Sequence, residues 1–254
     1  MFALKAMMKK YWKIAGLTLL ALIGLGALTA WVASRPLPEG VQGPQADALA
    51  QKMLESVNQE AWDSTAWVQW TFAGRRHFLW DKERHFVRVG WGEREVLLNL
   101  EEISGLAFRN GQAVDDEKND KLVQKAWAAF CNDSFWLNAV VKAFDPGTER
   151  RLVDWEGRSA LLVTYTSGGV TPGDSYLWLL DEQGRPEAWR IWASILPIGG
   201  VRFQWEDWTQ LPGGAWVATT RKHPLLTLNV TDLQAADSWQ GLGLSSDPFA
   251  SLVP

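Results

Sequence analysis

Ala66-Trp67-Val68-Gln69-Trp70-Thr71-Phe72 alternates, and the reading of this stretch governs the chain around it. From Ser64 the hydrophobic period is two. Ala66, Val68, Trp70 and Phe72 fall on one face, whereas Thr65, Gln69 and Thr71 fall largely on the other, the signature of a half-buried strand. Working outward, residues 75–80, 84–91, 94–100 and 106–109 continue as short strands. Gly74, the Asp81-Lys82-Glu83 turn, Gly92 and Gly111 separate them, and such short connections predict an antiparallel meander.

Two stretches depart from this period. Ala46, Leu49, Ala50, Met53, Leu54 and Val57 recur at three- and four-residue intervals, which predicts an amphipathic helix near 44–60. Between residues 115 and 144, Leu122, Ala126, Phe130, Leu137, Val141 and Phe144 lie near one helical side. Asn132-Asp133-Ser134 is a candidate break with Asp133 as a cap, and Asp145-Pro146-Gly147 ends the helical insert. Alternation then resumes over 150–155, 159–166, 175–180, 187–195, 201–208, 216–222 and 226–232. Turn chemistry at Glu156-Gly157, Asp181-Glu182-Gln183-Gly184 and Pro212-Gly213-Gly214 supports that division, and Gly199-Gly200 reads as a bend or bulge. The expected fold is mainly β (α+β): a curved antiparallel sheet or unclosed β-barrel of about 11–12 strands, with capping helices and one N-terminal transmembrane helix.

That last element rests on the first 35 residues. Lys5, Lys9, Lys10 and Lys13 precede an uncharged run from Ile14 to Ser34, which Arg35 ends. At about 1.5 Å per residue, a helix of this length spans the roughly 30 Å hydrocarbon core of a bilayer. Tyr11, Trp12 and Trp31 lie near its ends, where amphipathic rings favour the headgroup layer. The lysines predict a cytoplasmic N-terminus and a periplasmic C-terminal domain, with a bacterial inner membrane as the first choice. A cleaved secretory signal is the competing reading, because Ala27, Thr29, Ala30 and Ala33 are small. Against it, the run exceeds the usual apolar region of about 7–15 residues, and no A-x-A site closes it. No lipobox is visible. The expected organisation is a basic segment and signal anchor over 1–35, a linker over 36–43, a β domain over 44–236 and a tail over 237–254. The tail lacks sustained periodicity and is expected to be loosely docked or mobile.

Charge divides along the same boundary. Residues 1–35 hold five Lys or Arg and no carboxylate, and the remainder holds 20 basic against 29 acidic residues, a charge of −9 beneath the chain's net −4. So acidic an exterior argues against nucleic acid, whose phosphates reward basic patches. The single cysteine, Cys131, cannot form an intramolecular disulfide and reads as a small core residue.

No motif supplies chemistry. His77, His85 and His223 have no metal-ligand spacing, and His77 and His85 read as ordinary strand polar residues. There is no G-x-S-x-G elbow or P-loop, and the Asp115-Asp116-Glu117 run suits a helix start better than a glycosidase pair. No catalytic residue, metal site or cofactor is assigned. The stronger signal is aromatic. Fifteen of the 17 tryptophans follow the anchor, and apolar faces recur as Val68, Trp70 and Phe72; Tyr176, Trp178 and Leu180; Trp189, Ile191 and Ile195; and Val201, Phe203 and Trp205. If these faces converge, helices either fill the interior as a core or leave room for an acyl chain, each buried methylene contributing roughly 0.8 kcal/mol. The lining candidates are Val68, Trp70, Phe72, Tyr176, Trp178, Trp189, Ile191, Phe203 and Trp205.

The element order over residues 45–232 resembles the LolA/LolB-like superfamily of lipoprotein carriers and related envelope lipid-binding and sensor domains. The strands most similar in style are Ala66 to Phe72, Ser175-Tyr176-Leu177-Trp178-Leu179-Leu180-Asp181 and Val201-Arg202-Phe203-Gln204-Trp205. The resemblance implies an unclosed β-barrel whose concave face, capped by helices, receives acyl chains. A spanning anchor does not suit a diffusing shuttle, so the expectation is a tethered binding module for a lipid, a lipoprotein acyl chain or another hydrophobic ligand. Two alternatives stand beside it: a filled-core scaffold or regulatory domain that binds an envelope protein, and a hydrolase using carboxylates not recognised here.

Overall fold

The alternation that begins at Trp67 builds a first meander of β1 (Trp67–Phe72), β2 (Arg76–Asp81), β3 (Phe86–Trp91), β4 (Arg94–Asn99), β5 (Ser104–Arg109) and the two-residue β6 (Gln112–Ala113). A second meander contains β7 (Thr148–Trp155), β8 (Arg158–Tyr165), β9 (Ser175–Leu180), β10 (Pro186–Trp192), β11 (Val201–Gln210), β12 (Trp216–His223) and β13 (Leu226–Ala236). The structure, a computed structural model, describes residues 34–253 together with Trp12, Thr18 and Gly24. The expected membrane run over 14–34 therefore lies outside the described residues apart from Thr18, Gly24 and Ser34. Among the described residues no helix is long and apolar enough to cross a membrane.

The thirteen strands among the described residues join one antiparallel sheet in the order β6-β5-β4-β3-β2-β1-β13-β12-β11-β10-β9-β8-β7. The two meanders meet where the first strand pairs the last: Trp67 faces Ala236 and Phe72 faces Val230, with a register shift between Gln69 and Thr71. Because β6 and β7 do not pair with each other, the curved sheet is unclosed. Its β7 edge is partly covered, since Val41 and Leu152 exchange backbone hydrogen bonds of 2.9 and 2.8 Å. Such cover limits pairing with a foreign strand.

Several local expectations need correction. The helix expected over 44–60 is two, α1 (Pro44–Ser56) and α2 (Gln59–Ser64), because Asn58 adopts a left-handed φ of 55° and caps α2 at Ala61 N. The helical insert is unbroken at Asp133. Helix α3 runs Asp116–Asn138 behind an Asp115 N-cap, whose side chain accepts from Lys118 N at 3.0 Å, and a 3-10 turn at Ala139–Lys142 follows. Asp133 cannot cap because it lies inside α3 and pairs with Arg76 of β2. Strand β10 stops at Trp192, and Ile195 is exposed in the loop beyond. Gly199 is required there by close approach: a Cβ would lie 2.5 Å from the Trp192 ring. His85 occupies a turn at φ 55° rather than a strand, and Cys131 is half-buried rather than in the core.

The sheet is apolar on both faces. Its inner face packs under α1, α2 and α3. On the outer face Ala66, Trp67, Leu79 and Leu97 are covered by the chain terminus, where Phe249 is fully buried and stacks on Trp67 at 5.7 Å. Ala66 thus lies with Trp67, not with Val68 as the alternation predicted. The docked terminus also corrects the expectation of a loose tail. Arg84 clamps it, donating to the two Asp247 carboxylate oxygens at 2.7 and 3.0 Å and to Asp81 at 2.6 Å. The paired guanidinium holds the Asp247 carboxyl below its ordinary range.

Candidate functional site

Helix α3 brings aromatic rings to the inner face of the sheet, Phe130, Phe135 and Trp136 among them. Phe130 reaches Trp70 and Phe78 at 6.3 Å and Trp80 at 5.1 Å. Phe135 meets Tyr165 at 5.0 Å and Tyr176 at 4.8 Å. Trp136 stands edge-on to Trp189 at 4.9 Å and Phe203 at 5.0 Å. Beneath them Trp178, Trp189 and Trp205 contact one another with centroids 4.9–5.0 Å apart. These offset and edge-to-face arrangements are the favourable ones for rings carrying quadrupoles.

All nine lining candidates face this layer. Val68, Trp70, Phe72, Trp178, Trp189, Ile191, Phe203 and Trp205 are buried, and Tyr176 is half-buried. Burial pushes the Tyr176 hydroxyl pKa upward. The candidates do not form one uniform wall. Val68, Trp70 and Phe72 belong to a cluster with Phe78, Val89 and Phe130, whereas the other six belong to a second cluster with Leu161, Val163 and Ala218. Trp136, Val141 and Leu228 pack against both. At its Trp205 end the layer is closed by side chains: the void among Leu137, Trp205, Trp208 and Trp216 measures about 10 Å³, at or below what one water needs.

The polar content of this layer is unusual. The indole Nε1 atoms of Trp70, Trp178, Trp189 and Trp205 are buried without a hydrogen-bond acceptor among the described residues. Within α3, Asp133, Ser134 and Asn138 are buried, and Asn138 Oδ1 has no donor. Asp133 Oδ2 lies 3.0 Å from Arg76 Nε, close enough for an ion pair but off the line of a hydrogen bond. Asn132 donates to the other oxygen at 2.7 Å. Burial is the largest influence on Asp133 and raises its pKa. Arg221 on β12 is fully buried with no carboxylate partner among the described residues, donating to Trp136 O at 2.6 Å and Ala218 O at 2.9 Å while its guanidinium lies 3.5 Å from the Trp205 ring centroid. Desolvation pushes its pKa down to about 9.

Among the recesses that open on the surface, two adjoin the first meander. One of about 400 Å³ lies between α3 and the adjoining β1–β2 and β3–β4 turns, lined by Arg75, Arg76, Trp91, Gly92, Lys125 and Ala129. It borders the aromatic layer through Trp91, which packs on the Phe130 cluster, and Ala129 in its lining is buried. The other, of about 550 Å³, includes Gln69, Thr71, His77, Arg88, Glu95 and Asp232. Two pairs form within it: Thr71 Oγ1 and His77 Nδ1 share a 2.8 Å hydrogen bond, and Arg88 faces Glu95 at 3.9 Å. Among the described residues no group of three His, Cys, Asp or Glu side chains is placed to hold a metal ion.

The sequence reading found the strand-borne aromatics but missed Trp136, Arg221 and the cationic rim. Trp136 and Phe135 carry a signal, two adjacent rings on an amphipathic helix. Arg221 carries none, since an arginine in an alternating strand is ordinarily placed outward.

No family model matches the chain, and no curated protein matches it. Among solved structures, a DUF1329 family protein from Desulfovibrio piger is similar, with 11% identity, a TM-score of 0.42, and coverage of 82% of this chain and 99% of that one.

Proposed function

We propose that this chain is a membrane-tethered extracytoplasmic module that binds an elongated hydrophobic ligand, a lipid or lipoprotein acyl chain, between α3 and the aromatic face of the sheet. One observation carries the reading: the α3–sheet interface combines two aromatic clusters bridged by Trp136 with buried polar atoms that have no hydrogen-bond partner among the described residues, on both the helix and the sheet. Each unsatisfied buried group weakens the closed state by roughly 1–3 kcal/mol. A helix that existed only to seal a core would present apolar residues at Asp133, Ser134 and Asn138. In this mechanism α3 lifts, the ligand enters beside Trp91 and Ala129, and its methylenes replace α3 against Trp70, Phe72, Trp178, Trp189 and Trp205. The tether is the apolar run 14–34, and the resemblance to LolA/LolB-like envelope proteins agrees with this use of the sheet.

The filled interior favours a second reading, a scaffold or regulatory domain that binds another envelope protein through its surface. Native mass spectrometry of the full chain, before and after organic extraction, separates the two. A stoichiometric extractable mass identified as lipid supports the binding module. A clean mass that remains unchanged after incubation with fatty acid supports the filled-core scaffold.

A further inference from the structure

We infer that the recess between α3 and the two β-turns receives the anionic head of an amphiphile, a carboxylate or phosphate, while its apolar tail runs beneath α3. This rests on the acyl-binding reading above and adds the head-group class. The recess has room for such a group, at about 400 Å³, and its lining offers three cations, Arg75, Arg76 and Lys125, with no carboxylate. Their charges are unequally compensated. Arg76 pairs inward with Asp133, whereas neither Arg75 nor Lys125 has a carboxylate within ion-pair distance among the described residues. The two carboxylates that follow Gly92 in the β3–β4 hairpin face other arginines: Glu93 faces Arg109 at 3.7 Å and Glu95 faces Arg88 at 3.9 Å.

This local charge opposes the −9 carried by the chain beyond Arg35, so an acidic exterior holds one cationic opening at the edge of an aromatic interior. Trp91 joins the two environments. Its ring lies 5.9 Å from Lys125 Nζ and packs against the Phe130 cluster. An amphiphile matches that gradient, its charged end meeting Arg75 and Lys125 where solvent is near and its tail continuing past Ala129.

The test compares two probes with identical tails, dibromostearate and dibromostearyl alcohol, by bromine quenching of tryptophan fluorescence in the full chain held in non-ionic amphipol. The expected result is about five-fold tighter binding of the carboxylate, from two partly exposed ion pairs. That preference should shrink at high salt and vanish in the Arg75→Glu/Lys125→Glu variant, whose substituted side chains are solvent-exposed; near-ultraviolet circular dichroism checks its fold. Equal binding of both probes by the native chain, or a preference retained by the variant, overturns the head-group assignment and leaves acyl binding intact. Quenching by neither probe overturns both. Inorganic phosphate that displaces dibromostearate at similar concentration would identify a free-anion site and overturn the amphiphile.

Discussion

Ala73 and Asp133 show how single side chains are held against their own preferences. Ala73 and Gly74 occupy the centre of the β1–β2 turn at φ 50° and 61°, with Arg75 N donating to Phe72 O at 3.0 Å. Glycine tolerates that conformation, whereas alanine is strained by about 1 kcal/mol or more. Ala73→Asn is expected to stabilise the protein by about 1 kcal/mol in urea unfolding, and an unchanged midpoint would count against strain at the turn. Asp133 is disfavoured by burial. Its raised pKa means that the folded state keeps a proton through a pH window in which the unfolded chain has lost it. Stability therefore rises as pH falls from that raised value towards the ordinary carboxylate range near 4, and the charged form weakens the fold at neutral pH. Asp133→Asn should gain about 1 kcal/mol at pH 7 and flatten this acid-side rise, because Arg76 retains solvent contact when its partner loses charge. Loss of stability at pH 7 would show that the ion pair outweighs desolvation.

Among the elements, α3 and the terminal segment do comparable work on opposite faces of the sheet. Helix α3 covers the inner rings but does so with Asp133, Ser134 and Asn138 turned inward. Its amides are expected to exchange hydrogen faster than those of β1 and β13, and to become protected when dibromostearate binds. Uniform slow exchange across α3 and the sheet would contradict a lifting lid. The terminal segment is attached by apolar contact and by Arg84. Phe249→Ala removes a fully buried ring from Trp67 and Phe86 and should destabilise the fold by about 3 kcal/mol. A shift below about 0.5 kcal/mol would mean that the segment contributes little to global stability. Its docking leaves no periodic signal in the sequence, because two short 3-10 turns with Trp239, Phe249 and scattered leucines as anchors form no repeat.

At the scale of the whole molecule, the sheet depends on a junction between its first and last strands. Deleting residues 226–254 removes β13, leaves β1 and β12 without the strand that joins them, and is expected to abolish cooperative unfolding in circular dichroism. The alternation by itself determined twelve of the thirteen strands among the described residues, most of their bounds to within about two residues, the antiparallel connections and the side of each strand on which Trp70, Trp178, Trp189 and Trp205 lie, but not the two-residue β6. It determined the helical insert as well, through its 3.6-residue period. Only the tertiary structure decided that α3 fills the aromatic face, that β1 pairs β13 and that Arg75, Arg76 and Lys125 meet at one opening. It also decided that Arg221 is buried, where sequence pattern places an arginine outside. The physical reason is that periodicity records which way a side chain points from its own backbone, whereas filling, pairing and charge convergence depend on residues far along the chain that pack against that side.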